Sequence, residues 1–248
     1  MSDIQVIDRA ALLLDTIARY EKPMNLKILA ADTGLPPSTA FRILRALASI
    51  GFVERDPQGR YLMGRKIARL AERVGRENDI RKEALPIMEA LRNEVDESIN
   101  LTIRTADEVV YIERVTSRRI IRVEQVIGSH APLHVTAVGK LMLGKLGENF
   151  IQAYAKRTGL KAYTKHTLKL KQLLSETKND IAQGFSYDNE EAEDGVGCIG
   201  TLIYDANGQV AGGLSISAPI ERRKDEWVAM LIQAGKDVSE RLGYRTVP

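Results

Sequence analysis

The chain has 248 residues, enough for two domains, with 44% hydrophobic and 28% charged residues, a balance ordinary for packed globular domains. No run approaches the ~18 apolar residues of a transmembrane helix, and the opening MSDIQVIDRA has neither the basic start nor the apolar core of a secretory leader, so a soluble, cytoplasmic protein with no membrane partner is expected. The single cysteine, Cys198, excludes an intrachain disulfide framework.

The formal net charge is +3, but it is unevenly spread. Residues 1–75 carry 12 Lys and Arg against 8 Asp and Glu; the rest carries 24 against 25. From Pro36 to Arg76 there are 9 basic and 3 acidic residues. A phosphate backbone would be drawn to that segment first, although a solvated helix face gives the same count.

Val6, Ala10, Leu13 and Ile17 recur at helical spacing and predict a first amphipathic helix. Asn25 is placed to cap a second helix whose Leu26, Leu29 and Ala30 face inward. Gly34 ends it, since glycine takes the left-handed backbone of a helix exit. Pro36 and Pro37 suit the opening of a third helix, predicted from about Pro37 to Ile50. Its apolar stripe is Ala40, Ile43, Leu44 and Leu47; its opposite face carries Ser38, Arg42, Arg45 and Ser49, with Thr39 and Phe41 flanking the first turn. That face has no carboxylate, as an element approaching base edges and phosphates requires. After Gly51, Phe52–Arg55 and Arg60–Leu62 flank the turn tetrapeptide Asp56-Pro57-Gln58-Gly59, which predicts a basic hairpin with Arg55 and Arg60 at its tip. Turn, helix and hairpin in this order make a winged helix-turn-helix; a small helical protein-interaction domain is the bland alternative.

The segments LKILAADTGLPPSTAFRIL, GFVERDPQGRYLMG and IARLAERV resemble the DNA-binding domain of the IclR family of bacterial transcriptional regulators, with Met63 standing where the family commonly has leucine. The resemblance implies that the third helix is the recognition helix and assigns Ser38, Thr39, Phe41, Arg42 and Arg45 to DNA contact or its immediate support. It also implies that a linker helix, read here from Gly64 to about Asn78 with Ile67, Leu70, Ala71 and Val74 on one face, helps build a dimer. Operator DNA, a second copy in a dimer or dimer of dimers, and RNA polymerase are the macromolecular partners such a regulator implies.

The predicted boundaries are 1–63 for the DNA-binding domain, 64–79 for the linker helix and 80–248 for the C-terminal domain. That last part reads as a helix over Ile80–Glu94, three strands at Ser98–Thr105, Val109–Val115 and Ile120–Val126, helices near Ala137–Leu146, Glu148–Thr158 and Thr167–Gly184, two strands at Gly197–Asp205 and Gln209–Ala218 joined through Asn207-Gly208, and a last helix over Arg222–Leu242. The mixture predicts an α+β fold with a pocket on one side of a sheet. GSHAPLHVTAVGKLML and the run from GFSYDNEEAEDGVGCIG to GGLSISAPIER resemble the IclR-family effector-binding domain, which implies a GAF-like (profilin-like) α/β sheet fold. The resemblance places a polar niche for a small organic acid or aromatic effector at the amides of Ala137 and Val138 and at Asp188, Cys198, Ser215 and Ser217. Leu133 and Val196 are its expected apolar walls. Free amides at a helix start suit an anion, and Ser215 and Ser217, two apart on a strand, share a face. Gly200, Gly212 and Gly213 stand where the family often has alanine, which suggests an enlarged cavity and an effector of more than two or three carbons.

Catalytic, metal and cofactor roles are not expected. Cys198 with His130, His134 or His166 would offer a nucleophile pair, but no motif fixes a base or an oxyanion hole. His130 and His134 have metal-ligand spacing on a helix, yet Pro132 lies between them. A redox role for Cys198 lacks a resolving thiol, and the carboxylates of Asp188, Glu190 and Glu191 oppose a thiolate.

Overall fold

The computed structural model describes residues 5–20, 22–70 and 80–245. The chain divides into two compact units, Met1–Glu77 and Asn78–Pro248. Helix α1 spans Gln5–Ala18, α2 Leu26–Thr33 and α3 Pro37–Ser49, followed by β1 (Val53–Arg55) and β2 (Tyr61–Met63). Asn25 caps α2 by accepting the Ile28 amide at 3.0 Å, and Gly34 leaves the helix at φ 65°. Leu13, Leu29, Ala40, Leu44, Val53 and Tyr61 close the core of this unit. Val6, expected to face inward, is exposed, because α1 is packed only along its later turns, at Leu13, Thr16 and Ile17. The wing gains an unforeseen bridge: Met24, just before α2, exchanges backbone hydrogen bonds with Tyr61 of β2. Helix α4 is described over residues 65–70; the remainder of the expected linker helix, with Ala71 and Val74, lies outside the described residues.

The second unit begins with α5 (Ile80–Val95) and is built on a six-stranded antiparallel sheet of order β5-β4-β3-β8-β7-β6. The strands are β3 (Ser98–Thr105), β4 (Glu108–Val115), β5 (His130–Pro132), β6 (Ser186–Asn189), β7 (Val196–Tyr204) and β8 (Val210–Pro219). Between β5 and β6 run a 3-10 turn (Leu133–Val135), α6 (Ala137–Leu146), α7 (Glu148–Thr158) and α8 (Leu170–Gln183); α9 (Trp227–Arg241) ends the unit. One sheet face, through Ile99, Leu101, Ile199, Leu214 and Ile216, packs against α5 and α9. The other, through Val109, Tyr111 and Leu202, packs against α6, α7 and α8. The mixed α+β architecture is as expected.

Three local expectations fail. Residues 120–126 form no strand. Their carbonyls are engaged by side chains instead: Arg222 donates to Ile121 O at 2.9 Å and Arg114 to Gln125 O. Their apolar side chains point outward, with Ile120 95% exposed. The sheet position beside β4 goes to His130–Pro132. Helix α8 starts at Leu170 rather than Thr167, because the Thr167 hydroxyl is used at 2.8 Å on Glu191 O and accepts the Tyr163 amide. The last helix starts at Trp227, because Arg222 closes a 3-10 turn and pairs with Glu97.

The glycines near the sheet centre do not open space. A Cβ on Gly200 would lie 2.8 Å from Val138 N and 3.0 Å from Ala137 C, and one on Gly213 2.4 Å from Val138 Cγ1. One on Gly212 would meet Thr102 O at 2.7 Å. Glycine at 200 and 213 lets the first turn of α6 rest on the strands, and Gly212 faces Ile80 and Thr102 on the other side of the sheet, so none of the three opens a larger cavity. Gly200→Ala is expected to push α6 off β7 and cost about 1–3 kcal/mol, read as a lower urea midpoint of the C-terminal unit; an unchanged midpoint would contradict this close packing.

Candidate functional sites

In the first unit, α3 buries Ala40, Ile43, Leu44 and Leu47 and leaves Ser38, Phe41, Arg42 and Arg45 exposed, with Thr39 half-buried. The helical spacing of the sequence dictates this split. Neither Arg42 nor Arg45 has an ion-pair or hydrogen-bond partner among the described residues. The wing arginines differ. Arg55 donates to Gly59 O at 3.2 Å and lies over the Tyr61 ring. Arg60 meets Asp56 at 2.6 Å, and the same carboxylate accepts the Arg60 and Gln58 amides. Desolvation works against the ionised Asp56, but these donors prevail and hold its carboxyl below the ordinary range.

In the second unit, the register of four neighbouring strands brings the expected niche residues together. Asp188 pairs across with Cys198, Cys198 with Ser217, and Ser215 with both Gly200 and Asn100. Their side chains share the sheet face that carries α6. The Cys198 Sγ lies 3.2 Å from Ser217 Oγ, which accepts from Asn100 Nδ2 at 3.0 Å. Thr136 caps α6 by accepting the Gly139 amide, while the amides of Ala137 and Val138 have no hydrogen-bond partner among the described residues. Both residues are buried, as is Leu133 in the preceding turn. Val196 sits at the strand end, half-buried and paired with Pro219.

Sequence reasoning missed the groups that complete this region. Asn100 is fully buried and its Oδ1 is unpaired. Lys140, on the second turn of α6, is also fully buried and pairs with Glu191 at 2.7 Å and Glu176 at 2.5 Å. Burial alone would favour the neutral amine, but the two carboxylates outweigh it and raise the Lys140 pKa. The Glu191 amide donates to Asp188 Oδ1 at 2.8 Å. Burial lifts the carboxyls of Asp188 and Asp180 to about 6 and that of Glu191 to about 7. A lysine three residues into a helix carries no signal that two carboxylates will converge on it, since they come from α8 and the loop after β6.

The arrangements weighed for Cys198, His130 and His134 take other forms among the described residues. Burial first, then the Asp188 charge, pushes the Cys198 thiol strongly up, so a thiolate is disfavoured. His134 is buried between Tyr154 Oη at 2.7 Å and Lys161 O at 3.1 Å, and burial lowers its pKa. His130 meets Glu108 on the surface. The two histidines sit on a strand and a 3-10 turn, so the helical i, i+4 geometry does not arise. Among the described residues, the group able to hold a metal is a different one: His166, Glu190 and Asp194, with ligand atoms within 4.8 Å of one another near the surface.

The family model for the C-terminal domain of IclR bacterial transcriptional regulators matches residues 73–242, and that for the IclR helix-turn-helix domain matches residues 6–57. The chain is 30% identical over 244 residues to the transcriptional regulator KipR of Bacillus subtilis, covering 96% of this chain and 97% of that protein. It is 30% identical over 251 residues to the transcriptional repressor IclR of Escherichia coli, covering 97% and 90%. Among solved structures, IclR of Thermotoga maritima matches with TM-score 0.63 at 28% identity, covering 97% of this chain and 99% of that one. The repressor BlcR of Agrobacterium tumefaciens matches with TM-score 0.65 at 27% identity, covering 97% and 98%. With both domain models matched in order and relatives aligned along nearly its whole length, this chain belongs to the IclR family: it is a DNA-binding transcriptional regulator and not an enzyme.

Proposed function

We propose that this regulator grips operator DNA through α3 and the wing, and that a small organic effector, carboxylate or aromatic, bound in the C-terminal unit alters the grip. The observation that carries the first half is the pair Arg42 and Arg45, unpaired among the described residues on a helix face without carboxylates. Ser38, Thr39 and Phe41 support the approach of that face to the major groove, and Arg55 and Arg60 reach the flanking backbone. The domain division is 1–63, 64–79 and 80–248. A homodimer or dimer of dimers presents two such helices to a palindromic operator, in the cytoplasm, where RNA polymerase is a further partner. A catabolic operon is the proposed target.

The second half rests on the unpaired amides of Ala137 and Val138, facing a sheet lined by Asp188, Cys198, Ser215 and Ser217. A helix start with two unanswered donors favours a carboxylate. Leu133 and Val196 supply apolar contact. The effector must favour one arrangement of the regulator over another, or its binding changes nothing.

Arg42→Ala is expected to weaken operator binding roughly 10- to 100-fold in a gel-shift titration, with effector binding intact. Ser215→Ala is expected to weaken effector binding about tenfold, measured by calorimetry against a panel of aliphatic and aromatic carboxylates, with operator binding of the effector-free protein intact. Equal loss of both activities in both variants would refute the division of labour.

The raised carboxyls give a pH signature. Because Asp180, Asp188 and Glu191 bind protons more tightly folded than unfolded, their contribution to stability is complete below about pH 4 and is lost as pH rises through 6 and 7. The C-terminal unit should therefore unfold at lower urea at pH 8 than at pH 5.5, and Asp188→Asn should flatten that dependence. A slope of the opposite sign would overturn the reading.

A further inference from the structure

Strand β6 covers only part of the β7 edge. Their pairing ends at Ser186 and Gly200, so Thr201–Tyr204 form an open edge. Hydrogen-bond directions alternate along a strand. The Glu190 amide donates to Val196 O from the β6 side, and the Tyr204 amide, on the same side, donates to Ser239 Oγ at 3.0 Å. The intervening even residue, Leu202, therefore aims its amide at the open edge. Leu202 is 5% exposed, and its N–H has no hydrogen-bond partner among the described residues. An edge amide without a protein acceptor is left for water or a ligand to answer.

That edge floors a cleft of about 760 Å³ between the helices covering the two sheet faces, within the usual size range of small-molecule sites. Leu141 and Ile181 wall one side, Ile232 the other, with Leu202 beneath. The stacked rings of Tyr204 and Tyr244 close one end. Of the charged groups lining the cleft, Lys236 and Arg245 are cations with no ion-pair partner among the described residues, and Glu240 is the carboxylate. Apolar walls, an unanswered amide and two free cations ask for an apolar body with an anionic acceptor.

We propose that this cleft is a second small-molecule site, for an amphipathic carboxylate. It lies toward the far end of α6 from the Asp188–Cys198–Ser217 niche; Leu202 is four residues from Cys198, about 13 Å along the strand. It does not depend on the effector reading. A ligand there bridges α6 and α8 on one side and α9 on the other.

The test is calorimetry of the full chain with octanoate and with its neutral counterpart octanamide. Octanoate is expected to bind, and octanamide to bind more weakly. The double variant Lys236→Gln, Arg245→Gln should weaken octanoate binding about tenfold, and Ile232→Trp, which narrows the cleft, should weaken it as well. Ser217→Ala should retain it. Absence of binding up to millimolar octanoate would overturn the proposal, as would loss in Ser217→Ala with retention in Ile232→Trp. Should Ile232→Trp fail to fold, the double variant, which alters only exposed cations, decides alone.

Discussion

The first turn of α6 lies on β7 and β8 at a separation that two residues without side chains permit. At Gly200 the contact is with backbone atoms of Ala137 and Val138, which cannot swing aside as a side-chain tip can. This contact fixes where the Ala137 and Val138 amides stand relative to Cys198, Ser215 and Ser217. It also sets the depth of Lys140, one turn further on, and so the position of the loop that Glu191 anchors. Displacing α6 by the width of a methyl group would draw the Ala137 and Val138 amides away from the sheet side chains of the proposed effector site.

Lys140 is the electrostatic counterpart of that steric contact. One buried cation faces two paired carboxylates and lies close enough to influence Asp180 and Asp188. Negative charge outnumbers positive there, and Glu191 Oε2 is left without a partner. A buried arrangement of this kind is weak as a source of stability. Its effect is geometric: the Glu191 amide holds Asp188 Oδ1, so the carboxylate of the niche is tied to α6 through a chain of short polar contacts.

Much of this was legible from residue order. The split of α3 into a buried stripe and a basic face follows from spacing alone, and the Asn25 cap, the Gly34 exit and the wing from local chemistry. Most of the sheet was legible from β-branched runs. What failed depended on partners distant in sequence. Ile120–Val126 has the composition of a strand, but Arg114 and Arg222 take its carbonyls. Strand β6 was overlooked because Ser186–Asn189 is short and polar, and is held by pairing with β7. Asn100 joined the niche only through its register with Ser215. The glycines were misjudged for the same reason: a missing side chain reads as space until the neighbour that fills it is known.

In the proposed complex the wing meets a duplex with its guanidinium groups already engaged. For Arg60 to bind a phosphate it must share or abandon Asp56, and the carboxylate left beside the new anion offsets part of the attraction. Contact there is an exchange of anions rather than a fresh neutralisation. Arg42 and Arg45 carry no such internal competitor among the described residues. The number of counterions expelled in the proposed complex should therefore follow α3 more closely than the total of basic residues. In the proposed mode of binding, Asp56 stands where a phosphate would, holding the shape of the hairpin while competing for Arg60.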